Sequence, residues 1–366
     1  MRIGLDYRAA VGYPFTGIGR QNFALEDALR SFPGASLQLF GVAPEGHPIR
    51  RRIHAPRWSA PLASVHRLPE RLKFEGLFLP GALRDAGIEL YVANINMGLP
   101  LGRKPAGLKY VLQLHDLFQL TQENHHGSRL KARLYRYTDR LSIEHSLKVA
   151  DRVWLPSQYS ADETTRVFPW VAPKLRVVPV RVDSFAGEPA DISALALPER
   201  YWLCVGTREP RKNMVWFVDA WQTARRRYPH IPALVLVGGD EVLHPNQRQL
   251  DGLHVRRGLS DPELHAVYRQ AERLWQPSRA EGFGLPVIEA LRVGTPVAVA
   301  TGSSLDEITP PDSPRFSPYD GDALIRLMGV LSTASAEDPQ HLREWSLRYD
   351  RPEFERRVHA ALEELR

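Results

Sequence analysis

The chain has 366 residues, of which 43% are apolar and 25% are charged, and its formal net charge is +6. At about 150 residues per domain this length predicts two domains, and the composition excludes a disordered or low-complexity protein. The single cysteine, Cys204, excludes a disulfide framework. Because Cys204 lies in an apolar run, a buried thiol is favoured over a nucleophile or a metal ligand.

The charge is divided unevenly along the chain. Residues 1–185 hold 26 Lys and Arg against 16 Asp and Glu, which gives +10, whereas the remainder holds 22 against 26, which gives −4. This asymmetry indicates either a basic domain that faces an anionic partner or an unevenly charged solvated surface. No apolar run reaches the roughly 18 residues that span a bilayer, and the first residues resemble a strand rather than a signal peptide. We therefore expect a cytoplasmic protein, soluble or peripheral.

In the first half, short apolar runs alternate with amphipathic stretches, a pattern typical of parallel sheets covered by helices. The strands predicted there are Arg2 to Asp6, Leu37 to Val42, Leu90 to Ile95, Tyr110 to Leu114, Val153 to Ser157 and Leu175 to Val180. The segment 186–200 has no periodicity and contains two prolines, which predicts a linker after a first domain of residues 1–185.

The second half repeats the alternation. Its predicted strands are Tyr201 to Gly206, Ala233 to Gly238, Val255 to Gly258, Leu274 to Pro277 and Pro296 to Ala300, and its predicted helices are Asn213 to Tyr228, Pro262 to Ala271 and Pro286 to Val293. We expect a second domain over 201–345 and a helical segment over 346–366 that packs back on the first. The fold class predicted is α/β, with two Rossmann-like, doubly wound domains that face each other across a cleft.

The strongest local pattern is a strand, loop and helix start that runs from Pro277 to Leu291. A glycine-containing loop before a helix N-terminus presents backbone N–H groups to phosphate. Glu281 precedes that turn and can reach a sugar, while Glu289 lies one helical turn inside and can accept from ribose hydroxyls. An ordinary turn with surface glutamates is the alternative.

Three further patterns carry possible chemistry. Gly17 and Gly19 follow the first strand and allow either close backbone approach to a ligand, with positive φ available, or a tight turn. His115 at a strand end is either a contact to the transferred sugar or a core histidine. Arg211 and Lys212 follow the first strand of the second half, where their charge suits a leaving diphosphate.

These motifs, in this order, resemble the fourth family of glycosyltransferases, whose members have the GT-B fold and a Glu-x7-Glu signature. The resemblance also covers His115-Asp116, Pro156 to Ser160, Gly206 to Asn213, Gly258 to Leu264 and Gly294 to Val297. One departure is Thr207, which occupies the position where many members have a phosphate-binding arginine. Either Arg208 or Arg211 supplies that charge instead, and Lys212 is the safer assignment.

The resemblance implies a retaining, metal-independent transferase that needs no cofactor and uses a nucleotide diphosphate sugar as donor. It implies His115, Glu281 and Lys212 as catalytic residues and no metal ligands. The donor-binding residues that it implies are Gly17, Gly19, Arg208, Arg211, Lys212, Phe283, Gly284, Leu285 and Glu289. Within the family, the motifs are most similar to bacterial mannosyl- and rhamnosyltransferases of lipopolysaccharide and other surface polysaccharides. This favours a GDP-mannose or GDP-rhamnose type of donor, with UDP-sugars as alternatives.

The acceptor is expected to be a lipid-linked saccharide or polysaccharide. Residues 128–140 and the stretch from Arg50 to Lys73 mix basic with apolar side chains, which indicates either contact with an anionic membrane or core-facing helices with a basic edge. The rival functions are a phosphorylase or epimerase on the same fold and an inert protein that binds saccharide or membrane. A nucleic-acid binder is disfavoured because no recognition motif accompanies the basic pI.

Overall fold

A computed structural model describes residues 1–62, 67–122, 129–185, 187–335 and 337–366. They form two compact units, one of Met1–Arg181 with Arg351–Arg366 and the other of Val182–Asp350. Among the helices of these ranges, none is long and apolar enough to cross a membrane.

The first unit contains a parallel sheet in the order β3-β2-β1-β4-β5-β6-β7. Its strands are β1 (Arg2–Asp6), β2 (Ser36–Phe40), β3 (Ile53–His54), β4 (Leu90–Ala93), β5 (Lys109–Gln113), β6 (Arg152–Leu155) and β7 (Leu175–Val177). Its helices up to residue 181 are α1 (Arg8–Gly12), α2 (Gly17–Arg30), α3 (Leu68–Leu72), α4 (Leu79–Asp85), α5 (Phe118–Thr121), α6 (Arg129–Val149) and α7 (Gln158–Val167). A π-helical stretch, Lys73–Phe78, joins α3 to α4.

The second unit contains a parallel sheet in the order β10-β9-β8-β11-β12-β13. Its strands are β8 (Tyr201–Val205), β9 (Ala233–Val237), β10 (Leu253–Arg256), β11 (Arg273–Gln276), β12 (Val297–Ala300) and β13 (Arg315–Phe316). Its helices are α8 (Met214–Arg227), α9 (Asp261–Gln270), α10 (Leu285–Val293), α11 (Leu305–Ile308), α12 (Gly321–Leu331) and α13 (Pro339–Ser346). Trp202 of β8 and Trp275 of β11 are buried with their ring centroids 4.9 Å apart, so the two central strands are joined by aromatic packing.

The last helix, α14 (Arg351–Glu363), belongs to the first unit. Its side chains Phe354, Val358 and Leu362 share one apolar core with Leu25 and Leu29 of α2. Burial of this apolar face is what holds the C-terminal helix to the first sheet layer.

The segment expected as a linker is part of the second unit over residues 187–200; Ala186 lies outside the described residues. The backbone N–H of Ala190 donates to the carbonyl of Pro262 at 3.1 Å, and Nε of Arg256 donates to the carbonyl of Leu195 at 3.0 Å. These hydrogen bonds attach the segment to the second unit, and the chain passes between the units at residues 181 and 350.

The strand order determines where ligands bind. In each sheet the order reverses beside the first strand, between β1 and β4 and between β8 and β11. Ligands of open α/β sheets bind beyond the carboxyl ends of the strands at such a switch point. The loops after β8 and β11 are therefore the region of the second unit to inspect first.

Candidate active site

An ion cluster of Arg211, Lys212 and Glu281 lies at the switch point of the second unit. Arg211 and Lys212 belong to a short 3-10 turn after β8, and Glu281 lies in the loop after β11. The Glu281 carboxylate accepts from Nζ of Lys212 at 2.5 Å through Oε1 and from Nη1 of Arg211 at 2.6 Å through Oε2. Lys212 and Glu281 are buried, so both cations are held by one shielded carboxylate.

Neutral side chains complete the partners of Glu281. The hydroxyl of Ser278 donates to its Oε1 at 2.7 Å, and Nε2 of Gln276 donates to the same oxygen at 2.9 Å. Burial raises the pKa of Glu281, but the charges of Lys212 and Arg211 and the hydrogen bonds outweigh it and lower the pKa to about 2. Glu281 is consequently ionised throughout the neutral range.

The loop after Glu281 is fixed by its backbone. The hydroxyl of Ser304 donates to the carbonyls of Glu281 and Phe283, both at 2.8 Å. Gly284 has φ of 112°, and a Cβ there would lie 2.7 Å from Cδ2 of Leu305, so glycine is required on both counts. Leu285 is the first residue of α10, whose N-terminus receives no hydrogen bond from the side chain of its N-cap residue, Gly284. Pro286 has no N–H and the N–H of Val287 donates to the carbonyl of Gly284 at 3.0 Å, so the N–H of Leu285 is the group of the first turn that suits an anion.

The remaining predicted donor-binding side chains differ in their surroundings. Glu289 lies in α10 and accepts from the hydroxyl of Tyr268 at 2.8 Å. The ring of Phe283 is buried and contacts Tyr349 edge-on at 5.2 Å, so this residue can offer a ligand its backbone but not its ring. Arg208 is largely exposed, with its Nε 4.0 Å from Glu241. Of the two arginines considered for the diphosphate, Arg211 is the one in the ion cluster.

Comparison with known proteins finds a family match over the segment that contains this cluster. The family model for glycosyl transferases group 1 matches residues 199–326, which include β8, β11, α10 and the ion cluster. The chain carries a glycosyl transferases group 1 domain. O-antigen chain mannosyltransferase B from Escherichia coli is 28% identical over 345 residues, which cover 86% of each chain.

Solved structures share the fold over the whole length. Sucrose-phosphate synthase from Thermosynechococcus elongatus matches with a TM-score of 0.70 and 20% identity, over 100% of this chain and 99% of that chain. Anabaena HepE in complex with UDP-glucose matches with a TM-score of 0.64 and 16% identity, over 100% of both chains. The predicted fold class, two doubly wound Rossmann-like units of the GT-B type, is confirmed.

Outside the glycosyltransferase domain, His115 lies after β5 beside the end of β4. Its backbone N–H donates to Oδ1 of Asn96 at 2.8 Å, and its Nε2 is 3.1 Å from Oδ1 of Asn94. Burial lowers the pKa of His115 to about 4, against the opposing effect of the Asn94 carbonyl. The imidazole is therefore neutral near pH 7 and is oriented by two asparagines that the sequence patterns did not single out.

Gly17 and Gly19 lie at the start of a helix that follows the first strand. Both lie in the first turn of α2, and neither has positive φ. A Cβ on Gly19 would collide with the carbonyl oxygen of Tyr13, so its missing side chain makes room for the chain itself rather than for a ligand. Thr16 caps the helix by accepting from the N–H of Gly19 at 3.3 Å. Neither glycine uses the positive φ available to it, because α2 begins at Gly17.

The sequence patterns also missed a buried ion cluster after β1. The Arg8 guanidinium donates to Asp6 at 2.7 Å and to Glu75 at 3.0 Å, and its carbon lies 4.4 Å from the centre of the Phe74 ring. The signal was present, because Asp6 ends a buried strand and Arg8 lies two residues later. Across the described ranges, no three His, Cys, Asp or Glu side chains are grouped as metal ligands.

Proposed function

We propose that the protein is a retaining glycosyltransferase that moves a hexose or 6-deoxyhexose from a nucleotide diphosphate sugar to a lipid-linked or polysaccharide acceptor. The observation that carries the proposal is the Arg211, Lys212 and Glu281 cluster at the switch point of a glycosyltransferase domain. The two cations face one buried carboxylate, Glu281, and one exposed carboxylate, Glu209, which pairs with Arg211 at 2.7 Å. A diphosphate whose negative charge grows as the sugar departs can take the place of the exposed partner.

In this proposal Lys212 and Arg211 bind the leaving diphosphate, together with the backbone N–H of Leu285 at the start of α10. Glu289 accepts from the ribose hydroxyls, and neutral His115 contacts the transferred sugar. The lone pairs of Glu281 are already engaged by two cations, Ser278 and Gln276, so its role is electrostatic rather than nucleophilic. This supports retention through acceptor attack on the face from which the diphosphate leaves, without a glycosyl-enzyme intermediate.

The donor class is inferred from the relatives. The relative from Escherichia coli is named as an O-antigen chain mannosyltransferase, and HepE was solved with UDP-glucose. We infer that GDP-mannose or a GDP-rhamnose type of sugar is the donor, with UDP-sugars as the alternative, and that the product belongs to lipopolysaccharide or exopolysaccharide assembly. With such an acceptor we propose that the enzyme acts at the cytoplasmic face of the membrane.

The experiment is a donor screen that measures free nucleotide diphosphate with and without acceptor lipid. GDP-mannose, GDP-rhamnose and UDP-glucose are compared for wild type, Lys212→Ala and the control Arg226→Ala, whose exposed side chain lies on α8. We expect release from one GDP-sugar, a loss of at least about a hundredfold in Lys212→Ala and wild-type rates in the control. Wild-type turnover in Lys212→Ala would overturn the assignment of the cluster.

The same screen tests metal independence. Because Lys212, Arg211 and loop amides neutralise the diphosphate in this proposal, the rate should survive excess EDTA. Abolition by the chelator, followed by rescue with magnesium or manganese, would show that a divalent ion supplies the charge instead.

A peripheral membrane contact is proposed for α6. Ser128 and the side chains of residues 129–132, including Arg129 and Lys131, lie outside the described part of the chain. Beyond them, Leu134, Tyr135 and Tyr137 are 60%, 51% and 61% exposed beside exposed Arg133 and Arg136. Exposed apolar and basic side chains on one helix suit an anionic bilayer, where each cation contributes about 1 kcal/mol.

Vesicle co-sedimentation tests this contact. Vesicles with anionic lipid should bind the wild type in a salt-dependent way, and Arg133→Glu combined with Arg136→Glu should reduce binding on the order of tenfold. The control Arg226→Glu combined with Arg227→Glu makes the same change of charge on exposed side chains of α8 in the second unit and should bind as wild type. Equal sedimentation of all three proteins would remove α6 from the membrane contact.

A further inference from the structure

A second polar pocket lies in the second unit and shares no lining residue with the ion cluster. It has a volume of about 300 Å³ and is bordered by α9, α10, α13 and the segment after Val182. Four of its lining side chains are basic and none is acidic. The lining residues are Ser184, Phe185, His265, Arg269, Arg292, Val293 and Arg343.

Several donors of this pocket have no partner. Nε of Arg292 and Nδ1 of His265 are both buried without a hydrogen bond. Arg269 has no hydrogen bond or ion pair within the described residues, and its charge, after burial, lowers the pKa of His265. A buried donor left without an acceptor typically costs about 1–3 kcal/mol. Asp183 and Asp350 act on Arg292 and Glu188 acts on His265 from outside, but none of these carboxylates lines the pocket.

Backbone contacts hold two of the arginines in place. Nη2 of Arg292 donates to the carbonyls of Val182 at 2.8 Å and Ser346 at 3.2 Å, and Nη2 of Arg343 donates to the carbonyl of Val293 at 3.2 Å. These bonds leave other N–H groups of both guanidinium forks available. Because the arginines are oriented in advance, an anion would bind without first ordering their side chains.

We propose that this pocket binds a phosphate-type dianion, either inorganic phosphate or a phosphate monoester. Three guanidinium groups and an imidazole match the several acceptor oxygens and the double charge of such a group. The volume is at the lower end of small-molecule sites, which fits a phosphate with a small organic substituent. This assignment stands on the pocket alone and needs no donor chemistry.

The pocket is also linked to the proposed donor site through aromatic side chains. The Phe185 ring stacks on His265 with centroids 4.9 Å apart and contacts the Tyr268 ring at 5.6 Å. Tyr268 in turn donates to Glu289. An anion that orders Phe185 and His265 would therefore affect the hydrogen bond between Tyr268 and Glu289. An effect on donor binding would follow only through the role of Glu289, which rests on the proposed function.

The test is calorimetric titration with inorganic phosphate against sodium chloride of equal ionic strength. The proteins are wild type, Arg269→Gln, the double variant Arg269→Gln with Arg343→Gln, and the control Arg226→Gln. Because Arg269 has no partner to lose, its substitution should not disturb folding. We expect phosphate affinity to fall on the order of tenfold in the single variant, further in the double variant and not at all in the control.

Two additional arms locate the phosphate and its source. Lys212→Ala should retain wild-type phosphate affinity, because Lys212 does not line this pocket. Loss of phosphate binding in Lys212→Ala would assign the phosphate to the ion cluster and overturn the proposal. Equal affinity in the double variant and Arg226→Gln would overturn it as well. Vesicles of phosphatidic acid that bind wild type but not the double variant would identify a lipid headgroup as the source, and phosphate binding without vesicle binding would identify a free phosphate.

Discussion

The ion cluster makes Glu281→Gln an informative change, because it removes one charge while keeping the side-chain volume. In the protein this carboxylate lies between Lys212 and Arg211 at 2.5 and 2.6 Å. The variant leaves two cations close together in a buried site, and breaking a buried pair typically costs about 3–5 kcal/mol. We therefore expect the free energy of unfolding to fall by several kcal/mol, measured by urea denaturation of the purified variant.

Nucleotide affinity should change in the opposite direction. If the donor diphosphate binds Lys212 and Arg211, then Glu281 competes with it for the same N–H groups. A charge-assisted hydrogen bond contributes about 1.5–3 kcal/mol, so removal of this competitor should tighten GDP binding on the order of tenfold. Turnover should nevertheless fall, since Lys212 loses the carboxylate that positions it. Titration calorimetry with GDP and UDP, together with steady-state kinetics, measures both effects.

Glu209→Gln is the matched control. Glu209 also pairs with Arg211, at 2.7 Å, but its side chain is 60% exposed. Exposed pairs contribute less than about 1 kcal/mol, so both stability and nucleotide affinity should remain close to wild type. Unchanged or weaker GDP binding in Glu281→Gln would show that the carboxylate and the diphosphate do not share these cations, and the reasoning would be refuted.

Three further changes test the surroundings of the site. Tyr268→Phe removes the donor to Glu289 and should change nucleotide affinity by about twofold to tenfold with little effect on kcat, measured by calorimetry and initial rates. Because burial lowers the pKa of His115 to about 4, the stability that its neutral form contributes is present above about pH 6.5 and is lost as the pH falls towards 4; the kcat profile should show no His115 inflection between about pH 5 and 8. Glu75→Gln removes one partner of buried Arg8 and should lower the free energy of unfolding by about 3–5 kcal/mol in urea.

Each of these predictions has a control or a contradicting outcome that distinguishes the expected effect from a general loss of folding. Glu70→Gln removes a pair with the exposed Lys73 on the same helix and should cost less than about 1 kcal/mol, unlike Glu75→Gln. An inflection near pH 6.5 that disappears in His115→Gln would contradict a neutral imidazole. Identical nucleotide affinity in Tyr268→Phe and Glu289→Ala, both equal to wild type, would remove Glu289 from the donor site.

Much of the fold follows from sequence because buried parallel strands are continuous apolar runs. The eleven predicted strands each overlap an observed one, whereas β3 and β13 were missed since two-residue edge strands carry no periodic signal. The contact between Lys212 and Glu281 could not be predicted from their separation of 69 positions. It depends on β8 lying beside β11, and strand order is a tertiary property that the local pattern does not contain.

Gly19 is a residue whose importance could be predicted from the sequence although its structural role could not. The glycine is required, but the atom that occupies the place of its Cβ is a backbone oxygen six residues earlier. A glycine in a sequence pattern indicates that a side chain does not fit at that position, but it does not identify the neighbouring atoms. The phosphate-binding role predicted for Gly284 rests on the same kind of signal, and there the neighbour is Leu305, on the side of the loop that faces the core.

The exposure of the charged side chains, rather than the charge of each half, distinguishes the two ion clusters. In the basic half, Arg8 and Arg71 face Asp6 and Glu75, so the cluster is neutral, and Arg8 is fully buried with two carboxylates as partners. In the acidic half, Arg211 and Lys212 share buried Glu281 and are 15% and 9% exposed, while the second carboxylate on Arg211, Glu209, is 60% exposed. A cation can exchange a carboxylate for a ligand only if the cation is reachable and that carboxylate can return to solvent. Arg8 therefore serves to fix the end of β1 and the π-helical stretch, whereas the cations after β8 remain available to a diphosphate.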